Sequence, residues 1–156
     1  MNKNSKILVT GGAGFIGSNL CEYLNSLLGC EIWSLDNYST GFKLNHIKNV
    51  NYIEGDTSQI NKLVSFKPDY VFHFGEYSRV EQSFDDIDKV WKSNKGGIFE
   101  VLKFCHKNKA KLIYSGSSTK FGDGGKGRNQ SPYAWTKATN SELVKDYGNW
   151  FNLNYA

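Results

Sequence analysis

Proline is nearly absent from this sequence: Pro68 and Pro132 are its only two, and no proline-rich or low-complexity linker divides it. Together with a length of 156 residues, that leaves no internal domain boundary and predicts one domain over residues 1–156, near the ~150 residues typical of a domain. Cysteine is scarce too. Cys21, Cys30 and Cys105 are odd in number and show neither a CxxC nor a zinc-ligand spacing. This argues for reduced thiols and against a disulfide framework or a metal site. No apolar run approaches the ~18 residues a membrane span requires. The N-terminal stretch has lysines ahead of apolar residues, but Gly11, Gly12, Gly14 and Gly17 break it where a signal peptide needs its apolar segment. The reading is a mature cytoplasmic chain with no membrane partner. Strong charge of one sign is missing as well: 19 basic against 15 acidic residues leave +4, spread along the chain. With 39% hydrophobic residues this excludes a disordered charged tail. It makes a nucleic-acid partner a weak prospect, because no basic stripe with interleaved aromatics is visible.

What is present alternates. Ile7, Leu8 and Val9 form a short apolar run of the kind buried on both faces of a sheet. Ile16, Leu20, Tyr23, Leu24 and Leu27 then recur at helical spacing. Strands are predicted at 31–35, 50–54, 70–74 and 111–115, with a short helix near 60–65. A long helix between the fourth and fifth strands has Ile98, Val101, Leu102 and Cys105 on its inner face. A glycine-rich loop at 122–127 leads to a last helix from about Tyr133, with Leu143, Tyr147, Trp150 and Phe151 as its apolar face. Strands alternating with helices predict an α/β fold with a doubly wound parallel sheet.

Gly11, Gly14 and Gly17 fall in the turn between the first strand and first helix, within Thr10-Gly11-Gly12-Ala13-Gly14-Phe15-Ile16-Gly17. In such a turn the first glycine permits the bend, the second lets the backbone approach a pyrophosphate, and the third lets helix pack on strand. The helix start then offers free amides and a positive dipole end to an anion. Glycines kept for steric reasons alone would look the same. Asp36 tips the balance: it ends the second strand, 25 residues beyond Gly11, where a carboxylate accepts from ribose hydroxyls. The same charge repels a 2′-phosphate and no arginine lies nearby, so NAD is favoured over NADP.

Tyr133 and Lys137 lie four apart at the start of the last helix and so share a face. A phenol is a poor base at neutral pH, and a neighbouring ammonium favours its phenolate. Ser117 follows the fifth strand, at the sheet edge where open α/β sheets bind ligands. A tyrosine and a lysine four apart are by themselves an ordinary surface pair.

The full set, Gly11/Gly14/Gly17, Asp36, Gly55-Asp56-Thr57, His73-Phe74-Gly75, Asn94, Ser117 and Tyr133-Ala134-Trp135-Thr136-Lys137, resembles the extended short-chain dehydrogenase/reductase family in order and spacing. Within it the chain is most similar to the NAD-dependent sugar-nucleotide epimerases, of the UDP-glucose 4-epimerase type. The resemblance spans essentially the whole sequence. It implies a Rossmann fold, NAD as cofactor and a nucleotide sugar as substrate. Tyr133 would be the acid/base, Lys137 would hold the nicotinamide ribose and lower the tyrosine pKa, and Ser117 would bond the reacting sugar hydroxyl. Phe15 and Ile16 would sit at the pyrophosphate turn, Asp36 and Asn37 at the adenosine ribose, and Asp56 and Thr57 at the adenine. Phe74, Gly75, Glu76 and Tyr77 would line the cofactor, and Asn94 would stand at the active-site end of its helix. The related 4,6-dehydratases carry Thr-Asp-Glu where this chain has Ser117-Ser118-Thr119, which favours an epimerase.

The resemblance also implies departures. Small residues usually follow the histidine, whereas Gly75-Glu76-Tyr77 brings an acid and a ring close to the cofactor. Family chains are longer and carry a C-terminal nucleotide-sugar-binding region that this sequence lacks. A sixth strand is expected to begin at 152–156, leaving Leu112-Ile113-Tyr114 as an apolar edge, and the chain alone is expected to bind NAD without turnover. A non-catalytic NAD-binding module and a scaffold on a Rossmann fold are the readings from other classes. The resemblance further implies a homodimer through the helices containing Asn94 and Tyr133, with Trp91, Leu143, Tyr147 and Trp150 as candidate surface.

Overall fold

A computed structural model describes residues 4–27 and 29–156, the side chains of residues 27 and 123 excepted. The Leu27 side chain, assigned above to the first helix's apolar face, lies outside that description. Five parallel strands form one sheet in the order β3-β2-β1-β4-β5. They are β1 (Lys6–Thr10), β2 (Glu31–Asp36), β3 (Asn51–Glu54), β4 (Tyr70–His73) and β5 (Lys111–Tyr114). The helices are α1 (Phe15–Leu27), α2 (Ile60–Leu63), α3 (Ile87–Val90), α4 (Gly97–Asn108) and α5 (Pro132–Phe151). Successive side chains of a strand point to opposite faces, and β1 shows the consequence. Ile7 and Val9 join Cys21 and Leu24 of α1 on one face. Leu8 joins Ile98, Val101 and Leu102 of α4 and Val144 and Tyr147 of α5 on the other. Both faces being covered accounts for the unbroken apolar run in β1.

The chain winds outward from β1 in both directions, so the order reverses between β1 and β4. A crevice opens at the carboxyl ends of the strands at such a point. Two local features shape it. Between α3 and α4 the helix widens into a π-type segment, Trp91–Gly96, which turns the Asn94 side chain fully inward. Helix α5 starts sharply because Ser131 accepts from the Ala134 amide at 3.0 Å and Pro132 takes the first helical position.

Three expectations need correction. Ile16 and Tyr23 are 63% and 61% exposed, and the inner face of α1 is instead Gly17, Ser18, Cys21 and Leu24. The first turn faces the crevice rather than the sheet. Next, β5 is not left as an open edge. The Leu112 amide donates to the Asn154 carbonyl, Ala156 to Leu112, and Tyr114 to Ala156, each at 2.9 Å, with Leu112 and Tyr155 in parallel register. Residues 154–156 thus take the expected sixth-strand position. Finally, Tyr147 is buried and Leu143 packs against the core, so neither is free for an interface.

Candidate cofactor cleft and reactive centre

Gly11 adopts φ +74°, and a Cβ there would lie 2.9 Å from the Gly75 amide nitrogen and the Phe74 carbonyl carbon. The turns after β1 and β4 therefore touch backbone to backbone. A Cβ at Gly17 would run into the Gly11 carbonyl, and one at Gly14 would stand a tight 3.3 Å from the same carbonyl oxygen. Beyond it, α1 begins with amides that have no partner one turn back and with the positive end of its dipole. The Asp36 carboxylate is buried against this turn, accepting from the Ala13 and Tyr38 amides, each at 2.8 Å. A carboxylate offers about four acceptor positions, so it can hold the turn and still receive hydroxyls.

At the other end of the crevice, Tyr133 and Lys137 rise from the first turns of α5. Glu76 meets them. Its side chain is 3% exposed and Lys137's is 4%. The Lys137 ammonium donates to Glu76 and, at 2.5 Å, to the Ser115 carbonyl. Glu76 also accepts from Asn140 Nδ2 at 3.0 Å and Tyr114 Oη at 3.1 Å, with His73 Nε2 3.6 Å away. Burial pushes the Glu76 pKa up, but the His73 ring and the Lys137 ammonium outweigh it and hold the carboxyl below the usual range. Burial and the adjacent carboxylate push the Tyr114 phenol far up, so it stays a donor. The Thr10 hydroxyl accepts from the Gly75 amide at 3.0 Å and lies 2.7 Å from His73 Nδ1.

These two ends belong to one cleft of about 460 Å3, within the usual range for small-molecule sites. Gly11, Gly14, Phe15, Ile16, Gly17, Asp36, Asn37, Thr57, Phe74, Gly75, Glu76, Tyr77, Tyr133 and Lys137 line it. Three expected residues stand behind that lining. Asp56 caps the turn at Thr57–Gln59, accepting from the Ser58 amide at 2.9 Å and Asn37 Nδ2 at 3.3 Å. Asn94 accepts from the Tyr77 amide at 2.7 Å and donates to the Tyr77 carbonyl and Thr136 Oγ1, both at 3.1 Å, tying the loop after β4 to α5. Ser117 is held locally, its oxygen 3.0 Å from Thr119 Oγ1 and accepting from the Thr119 amide at 3.3 Å. Ser115 and Gly116 line the cleft in its place.

Ser39, Thr40 and Gly41 line the cleft without having been singled out from the sequence. The Phe42 amide and Asn45 Nδ2 both donate to the Ala13 carbonyl, folding this loop over the glycine turn, and a Cβ at Gly41 would meet the Ala13 carbonyl carbon at 2.9 Å. The signal was the Ser-Thr-Gly run just past Asp36. Among the described residues no group of histidine, cysteine and carboxylate side chains could hold a metal. Cys21 and Cys105 are buried, which pushes both thiols up to about 12 and leaves them inert. No described helix is long and apolar enough to cross a membrane.

The model of the NAD dependent epimerase/dehydratase family matches residues 7–156. The chain belongs to that family. It is 34% identical to an ADP-L-glycero-D-manno-heptose-6-epimerase of Brachyspira hyodysenteriae, over 84% of this chain and 45% of the relative. It is 30% identical to a UDP-glucose 4-epimerase of Streptomyces lividans, over 77% and 38%. Among solved structures, the UDP-glucose 4-epimerase of Brucella ovis in complex with NAD superposes with a TM-score of 0.83 at 28% identity, covering 97% of this chain and 50% of that one. The chain thus spans about half, or less, of the length of the relatives it matches. The family's cofactor is NAD, and the residues present fit it. Gly11, Gly14 and Gly17 line the cleft without side chains, and buried Asp36 lines it with them.

Proposed function

We propose that this chain carries the NAD-binding and proton-transfer centre of a nucleotide-sugar epimerase of the UDP-glucose 4-epimerase kind. The observation supporting it is the continuity of one cleft from the glycine turn and Asp36 to Tyr133 and Lys137. Gly14 and the first turn of α1 receive the pyrophosphate, and Asp36 with Asn37 receives the adenosine ribose. NAD supplies a centre that takes up a hydride and gives it back. Tyr133, as the phenolate, takes the proton of the reacting sugar hydroxyl and, as the phenol so formed, returns it, contributing on the order of 10²–10⁴-fold as general acid/base catalysis does. Ser117 bonds that hydroxyl after leaving Thr119, and Lys137 holds the nicotinamide ribose. An epimerase is favoured over a dehydratase because Ser115 to Gly122 contains no carboxylate to assist loss of water.

A second reading, an NAD-binding module without turnover, draws support from the engagement of Lys137 by Glu76. Purification with NAD present, followed by release of bound nucleotide and a nucleotide-sugar turnover assay, tests both. Retained NAD with epimerisation that Tyr133→Phe removes, in this chain or in one extended through a second half, supports the enzyme. Retained NAD without turnover in either supports the module, and failure to retain NAD contradicts both.

We also propose a homodimer for this protein. Trp91 is 54% and Trp150 66% exposed, and the Trp91 and Trp135 rings stack with centroids 5.6 Å apart.

A further inference from the structure

A buried carboxylate stands three residues after the histidine that ends β4, where the resemblance calls for a small residue. Its hydrogen bonds are all accepted from donors, Lys137, Asn140 and Tyr114, and His73 Nε2 lies 3.6 Å away. Isolated burial of such a group is costly, and this set of partners is what retains its charge. The result is a neutral pair, Glu76 and Lys137, at the end of the cleft that holds Tyr133.

We propose that Glu76 is the counter-charge of Lys137 and sets the preference of the cleft between the two redox forms of its dinucleotide, favouring NAD+ with its cationic ring over NADH with its neutral ring. This rests on the reading above that the nicotinamide end of the cofactor lies beside Tyr133 and Lys137. Removing the negative charge leaves the ammonium uncompensated, which repels the cationic ring and is indifferent to the neutral one. In a site sheltered from water, one unit charge several ångströms away alters affinity by ~10-fold or more. A purely structural Glu76, fastening α5 to the ends of β4 and β5, would weaken both forms together.

The test is a pair of titrations, NAD+ by calorimetry and NADH by its fluorescence, on the 156-residue chain and three variants. The ratio Kd(NAD+)/Kd(NADH) is expected to rise ~10-fold in Glu76→Gln, which keeps the shape and one acceptor oxygen while removing the charge, and to fall in Lys137→Met. In the double variant, where both charges are gone, it should return to within about threefold of the starting ratio, the cancellation a double-mutant cycle isolates. An unmoved ratio in folded Glu76→Gln overturns the inference while leaving cofactor binding intact. Should that variant fail to fold, an unmoved ratio in Lys137→Met overturns it equally. If the unaltered chain binds neither form, the cofactor reading itself falls and takes this one with it.

Discussion

Gly11 and Gly125 both have positive φ, +74° and +92°, yet differ in what surrounds them. At Gly125 nothing lies within 4 Å of a built Cβ, whereas at Gly11 the backbone of Phe74 and Gly75 stands at 2.9 Å. Alanine at 125 is therefore expected to cost about 1 kcal/mol, the strain of its backbone alone, and alanine at 11 distinctly more, about 2–3 kcal/mol. Denaturant unfolding of the two variants decides it, and equal losses would contradict the backbone-to-backbone contact. Glu76 gives a second test at this scale. Its folded pKa lies below its unfolded value of about 4.3, so its charge contributes stability that is present at neutral pH and lost as pH falls through the folded value. The gap in thermal midpoint between the unaltered chain and Glu76→Gln should be widest near neutrality and begin to narrow as pH falls below the unfolded value of about 4.3. Asp56 is likewise held low by its bonds to Ser58 and Asn37, despite burial, and is present in both proteins, so it cancels. A gap independent of pH would contradict an ionised Glu76.

Among the elements, the tail that pairs with β5 is the most exposed to test. Truncation after Phe151 removes three backbone hydrogen bonds to the strand and the buried Leu153. At about 0.5–1.5 kcal/mol per bond, the thermal midpoint should drop by several degrees, and an uncovered apolar strand should promote aggregation. A truncated chain as stable and soluble as the original would show the pairing to be idle. The strands themselves were legible in the sequence, because runs such as Ile7-Leu8-Val9 are bounded by turn residues and need no tertiary information. The glycine turn, Asp36 and the Tyr133–Lys137 pair were legible for the same local reason. What was hidden depended on partners distant in sequence. Glu76 reads as an acid of undecided direction until Asn140 and Lys137, more than sixty residues away, converge on it. Asn94 owes its inward turn to a π-type widening that helical periodicity does not announce. The facing of α1 was misjudged because 3.6-residue spacing finds a stripe without saying that its first turn opens onto a crevice.

For the molecule as a whole, the exposed tryptophans predict association of two copies, since aromatic side chains are enriched at protein interfaces. Light scattering at micromolar concentration should report a dimer, and Trp91→Ala with Trp150→Ala should shift it to monomer. A monomer in the unaltered chain would contradict that assignment. The central claim, that the crevice at the reversal of the sheet is a dinucleotide site selective for NAD, is tested most directly by calorimetric titration of the 156-residue chain with NAD and with NADP. The account predicts saturable binding of NAD at one per chain, tighter than NADP. Asp36→Asn should weaken NAD by ~10-fold or more, as loss of hydrogen bonds to a charged acceptor does, and narrow the preference. Absence of NAD binding, or NADP bound equally or more tightly, would contradict it.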